Sequence, residues 1–98
     1  MITPVGLGKV AEYIGGLLDY AVIHSGSQQV QAPFYNKSVT GDMVEVWVQV
    51  PDEVTQVDRF QLIDTNGDVF LERSKVLTRT PGRALVEVFK IQVKGVVG

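Results

Sequence analysis

The sequence predicts an α+β domain that is mostly β: an N-terminal helix packed on an antiparallel β-sheet or β-sandwich of five to seven strands. Three observations predict it. Apolar residues recur at helical spacing near the start, at Leu7, Val10, Ala11, Ile14, Leu17 and Leu18. Strict two-residue alternation governs residues 43–50, where Val44, Val46, Val48 and Val50 share one face and Met43, Glu45, Trp47 and Gln49 take the other. Turn-forming residues punctuate the remainder at short intervals, and valine, a strand former, is abundant.

The helix begins at Thr3-Pro4, because Thr caps free amides and Pro suits the first helical position. Gly6 and Gly8 weaken it by about 1 kcal/mol each relative to Ala, so it needs a sheet to lie on. Gly15-Gly16 is the expected stop. A short strand follows over 19–24. Residues 25–33 read as a polar loop, the longest irregular segment and the expected interacting loop. Another strand is expected over 34–39, then a turn at Thr40-Gly41-Asp42.

Residues 42–74 read as three consecutive strands in the middle of one antiparallel sheet. Pro51-Asp52-Glu53 separates the first from a second over 56–64, and Thr65-Asn66-Gly67 turns the chain into a third over 68–74. A weaker strand signal covers 75–80, and Thr80-Pro81-Gly82 is a turn. The last long strand, 83–94, places Leu85, Glu87, Phe89, Ile91 and Val93 opposite Ala84, Val86, Val88, Lys90 and Gln92. Apolar residues on both faces predict burial on both sides or cover by a partner. Residues 95–98 form a tail.

The chain has 98 residues and is read as a single domain, 1–98, large enough for one modest core. It has no cysteine, which removes disulfides, thiolate metal sites and thiol catalysis. A net charge of −2 gives no electrostatic case for nucleic acid or an anionic membrane. Lys9, Glu12 and Asp19 interrupt the leading apolar stretch and no basic leader precedes it, so neither a signal peptide nor a membrane span is expected. Synthesis in the cytoplasm is expected.

No cofactor, metal or catalytic residue is expected. Asp64-Thr65-Asn66-Gly67-Asp68 offers alternating oxygen ligands, but Gly67 stands fourth and Lys75 twelfth, where a calcium loop needs Gly sixth and Glu twelfth. A hairpin turn explains it better. His24 is the lone histidine, without a recognisable partner for acid–base work. An enzyme reading would need His24 in a pocket beside a carboxylate such as Asp19. Arg59, Arg73, Lys75, Arg79, Arg83, Lys90 and Lys94 are scattered, as suits solvent faces and edge strands. Trp47, opposite the valines, faces outward, where an indole covers a helix or marks an interface. Tyr20, Phe34 and Tyr35 are candidates to join it, as is Tyr13.

These features together resemble the small domain of tailed-phage and prophage tail-fibre or baseplate proteins. The resemblance rests on Ile2-Thr3, Gly8-Lys9 and the amphipathic helix to Ile14, on Tyr20-Ala21-Val22-Ile23-His24-Ser25-Gly26-Ser27, and on a valine-rich strand after a Gly-Asp turn. It also rests on Phe60-Gln61-Leu62-Ile63-Asp64-Thr65-Asn66-Gly67-Asp68-Val69, with Gln61 where the family pattern has Gly, and on the alternation of 85–93. No shaft or receptor-binding tip follows, so the resemblance implies a compact assembly piece, made in the host cytoplasm and then built into the virion. Its implied partners are other copies of itself, as a homo-oligomer, and other tail proteins. The alternative is a monomeric β-sandwich binding module that holds a peptide or glycan with the 25–33 loop.

Overall fold

The computed structural model describes residues 2–94 and contains one helix and seven antiparallel strands in two sheets, the α+β, mostly β architecture the sequence predicts. The tail expected at 95–98 lies outside the described residues. The order is α1(Pro4–Leu17), β1(Leu18–Ser25), β2(Gln28–Pro33), β3(Asn36–Thr40), β4(Met43–Gln49), β5(Gln56–Asp64), β6(Val69–Thr78) and β7(Val86–Gln92). One sheet runs β2-β1-β5-β6 and the other β3-β4-β7.

Helix α1 starts as its sequence dictates. Thr3 Oγ1 accepts from the Gly6 amide at 3.1 Å, and Pro4 occupies the first turn. It does not stop at Gly15-Gly16 but continues to Leu17 and passes into β1 through an extended Leu18. Gly15 serves close approach instead of termination: a Cβ there would lie 2.6 Å from Val39 Cγ2. Gly8 similarly faces the Gly41 carbonyl. The helix therefore buries a ridge of small residues, with Ala11 and Gly15 at its centre, against β3 and β4.

Hairpins join strands within a sheet, and the turns fall where glycine permits positive φ, as at Gly26 and Gly41. Three links change sheets: 34–35, 50–55 and 79–85. The second overturns the single-sheet reading of 42–74. Strand β4 belongs to the three-stranded sheet and β5 and β6 to the other, because the six-residue link after Gln49 is long enough to carry the chain across the sandwich. The polar loop expected over 25–33 is also absent. Gly26-Ser27 is a tight turn, and β2 pairs with β1 from Gln28 to Pro33. Its pattern was hidden because an edge strand buries only small apolar groups here, Val30 and Ala32, between glutamines. Of the 75–80 segment, residues 75–78 continue β6, and the last strand is shorter than expected.

The valines of β4 point inward as predicted: Val44, Val46 and Val48 are fully buried. Against them lie Ala21, Ile23, Phe60 and Leu62 of the four-stranded sheet. Phe60 and Phe89 meet edge to face across the sandwich, centroids 5.6 Å apart at 74°. Glu87, on the core face of β7, is 8% exposed and held by β6 from the facing sheet. Lys75 Nζ lies 3.1 Å from both carboxylate oxygens, with its hydrogen bond directed at Oε1. Arg73 stacks 4.3 Å over the Phe89 ring and donates to the Val88 carbonyl at 3.2 Å. Arg73 and Lys75 thus close the β6–β7 side of the sandwich instead of facing solvent alone.

Candidate interaction surfaces

Part of the outer face of the four-stranded sheet is a closed polar network. Register aligns Gln31, Val22, Gln61 and Glu72 in one row, and Gln29, His24, Arg59 and Ser74 in the next. His24 is 7% exposed, covered by these longer neighbours. Arg59 Nη2 lies 3.3 Å from His24 Nδ1, and His24 Nε2 lies 2.7 Å from Gln61 Oε1. A guanidinium only donates, so Nδ1 accepts and the ring proton assigned by this network sits on Nε2, donating to Gln61. Gln61 Nε2 donates to Glu72 Oε1 at 2.8 Å, and Arg59 Nη1 is 3.4 Å from the same oxygen. The four side chains satisfy one another in a ring. His24 is engaged on both nitrogens by Gln61 and Arg59; Asp19, at the opposite end of β1 and exposed, plays no part.

The outer face of the three-stranded sheet is different. Trp47 is flanked by Asn36 on β3 and Val88 on β7, with Val86 beside Gln49 in the next row. Trp47 and Val88 are half-buried by their own neighbours, and Val86 is exposed. Glu45 pairs with Lys90 in register, and Met43 with Gln92. The helix does not cover this face. Its contact with Val39, the register partner of inward-facing Val44, places it on the valine side. The indole lies at the centre of this sheet face with Val88 and Val86 on its β7 side and polar residues, Asn36, Glu45, Gln49 and Lys90, around the rest, a small apolar centre inside a polar rim.

At the sheet-changing links lies a third feature. Arg79, expected on a solvent face, has a side chain only 12% exposed. It donates to the carbonyls of Val54 at 3.0 Å, Val50 at 2.8 Å, Pro51 at 2.7 Å and Arg83 at 3.1 Å. One guanidinium thereby satisfies the backbone of two irregular links. Between the 50–55 link and the 34–35 link is a cleft of about 340 Å³, floored by buried Ala32 and Val50.

The Asp64–Asp68 segment is a hairpin tip. Asp64 Oδ1 accepts from the amides of Asn66 at 2.9 Å and Asp68 at 3.0 Å, and Gly67 has φ 83°. The carboxylate is spent on its own turn. Among the described residues no group of three His, Asp or Glu is placed to hold a metal ion, and no helix is long and apolar enough to cross a membrane.

The four residues expected at an interface do not form one patch. Trp47 lies on the outer face of the three-stranded sheet, and Tyr20, paired with Ile63 and Pro33, on the outer face of the other. Phe34 and Tyr35 line the cleft; Phe34 also packs on the core, and the Tyr35 amide donates to the Trp47 carbonyl at 2.8 Å. Sequence reasoning missed Val88 as the neighbour of Trp47 and missed Arg79 altogether. The alternation of 84–94 contained the first signal; the second had none, since carbonyl partners leave no side-chain pattern. Compared with known protein families, curated proteins and solved structures, the chain matches none.

Proposed function

We propose that this protein is a structural, non-enzymatic assembly component that acts by protein–protein contacts through the outer face of its three-stranded sheet. The observation that carries this is Trp47 with Val88 at the centre of a sheet face that no element of the described chain covers. Burial of this indole and the flanking valines supplies the attraction, and the Glu45–Lys90 row supplies register. Among the described residues the outer strands β2 and β3 each pair on one side alone, so their edges offer further contacts between copies. The setting in a phage or prophage tail rests on the sequence resemblance. It brings as partners other copies of the chain, in a homo-oligomer, and neighbouring tail proteins.

The alternative, a monomeric β-sandwich binding module, loses its original basis because residues 28–33 are a paired strand. Sedimentation velocity across a wide concentration range tests the preferred reading. A mass above the monomer at high micromolar concentration, or a stable complex with proteins encoded by adjacent tail genes, is expected. A monomer throughout, with no such complex, overturns it.

A further inference from the structure

We propose that the free edge of β2 pairs with β2 of a second copy of the chain, antiparallel and centred on Val30, so that the four-stranded sheets of the two copies run on as one. The inference rests on the reading that copies of this chain contact one another, and it needs no association through Trp47.

Backbone direction is the first argument. The Gly26-Ser27 loop is closed by the pair Ser25–Gln28. A two-residue loop is flanked by a hydrogen-bonded pair, and along an antiparallel ladder such pairs alternate with non-bonded ones. Gln28, Val30 and Ala32 therefore spend their N–H and C=O groups on β1. Those of Gln29 and Gln31 point away from β1, as does the Pro33 carbonyl. Among the described residues, no backbone hydrogen bond outside the strand ladders reaches them.

The other outer strands are blunted, as edge strands usually are. On β3, Asn36 Oδ1 takes up the Lys37 amide at 2.9 Å. Lys37 itself lies on the core side, in register with Val46, and its Nζ donates to the Leu18 carbonyl at 3.1 Å. Strands β6 and β7 close on one another through Arg73 and Lys75. Strand β2 carries no charged residue and keeps proline to its last position.

The strand's own sequence argues for a second copy as the occupant. Gln29-Val30-Gln31 reads the same in both directions. Twofold pairing about Val30 sets Gln29 opposite Gln31 of the other copy, so every outward N–H meets an outward C=O. Centring on Gln31 would waste a carbonyl on Pro33, which has no N–H, and centring on Gln29 would run into the Ser27 turn. About Val30, the glutamine amides face one another on the outer side. The two Val30 side chains, each already packed against its core, meet on the inner side. No like charges are opposed. So short a ladder is weak, with a Kd of about 1 mM or weaker, and is absent at micromolar concentration. Its place is within an assembly, where other contacts hold copies at high effective concentration.

The test is NMR on Val88→Asp, in which the Trp47 face is disabled, so the edge contact is read alone; Trp47→Gln is a second such background. Between about 0.05 and 3 mM protein, the amides of Gln29 and Gln31 are expected to shift and their hydrogen exchange to slow. In a mixture of isotopically labelled and unlabelled chains, an isotope-filtered NOE is expected between the Val30 Hα atoms of the two copies. A residue bonded to β1 points its Hα to the free edge, and twofold pairing brings the two together. Gln29→Lys with Gln31→Lys opposes like charges and is expected to weaken pairing by about fivefold or more. Gln29→Lys with Gln31→Glu opposes unlike charges and is expected to tighten it by about threefold. Both positions are exposed, so neither variant is expected to move the thermal midpoint. Absence of the Val30 contact at about 3 mM, its undiminished survival in the double-lysine variant, or weaker pairing in the lysine–glutamate variant overturns the proposal. None of these outcomes bears on the Trp47 emission of the wild type, so the two readings fail separately.

Discussion

The two outer faces of the sandwich solve the same problem in opposite ways. On the four-stranded sheet, His24, Gln61, Arg59 and Glu72 turn inward on one another, so donors and acceptors are spent within the chain. On the three-stranded sheet, Trp47 sits between Asn36 and Val88 with no such ring around it. A surface whose polar groups are already satisfied gains little from a partner. A surface with a half-buried indole and neighbouring valines gains the burial of their remaining apolar area.

The largest effect is expected from placing a charge at the centre of the open face. Val88→Asp should weaken self-association by about 100-fold or more, read by sedimentation equilibrium, because a desolvated carboxylate there has no partner. Its thermal midpoint should fall only slightly, since Val88 points away from the core. The closed face should show the converse. Gln61→Leu leaves His24 Nε2–H without its acceptor and Glu72 with Arg59 as its remaining donor, so stability should drop by about 1–2 kcal/mol in urea unfolding while association is unchanged.

A third variant locates the helix. Gly15→Ala adds a methyl 2.6 Å from Val39 Cγ2. Overpacking of about 1–3 kcal/mol outweighs a helix-propensity gain of about 1 kcal/mol, for a net loss near 1 kcal/mol. Trp47 emission in the monomer should not move, because α1 lies on the valine side of the sheet. The smallest effect is expected from Glu72→Gln. Its ion pair with Arg59 is about half exposed on both sides, and replacing it should cost no more than about 0.5 kcal/mol.

Much of this contrast is legible in the sequence. The alternation of 43–50 assigned the β4 valines to the core and Trp47 to the outside, and the fold places them so. Thr3-Pro4 marked the start of α1. What failed had physical reasons. The sequence alone places a stop at Gly15, but glycine both ends helices and permits close packing, and only the neighbour, Val39, decides between the two. Strand β2 looks like a loop in the sequence because three of its six residues are glutamine and its buried groups are small. Periodicity also cannot say which sheet a strand joins, so β4 was grouped with β5 and β6. The His24 ring was invisible for a similar reason: its members come from three strands, and only register brings residues 24, 59, 61 and 72 side by side.

The central claim, that the Trp47 face is the working surface, is tested most directly by Trp47 itself, the one tryptophan in the chain. Its emission can be followed from low nanomolar to high micromolar protein, beside Val88→Asp as the non-associating reference. A blue shift with rising concentration in the wild type, tracking the increase in mass and absent in Val88→Asp, is the predicted result. An emission maximum that stays constant while the protein associates would place the interface elsewhere and contradict the account.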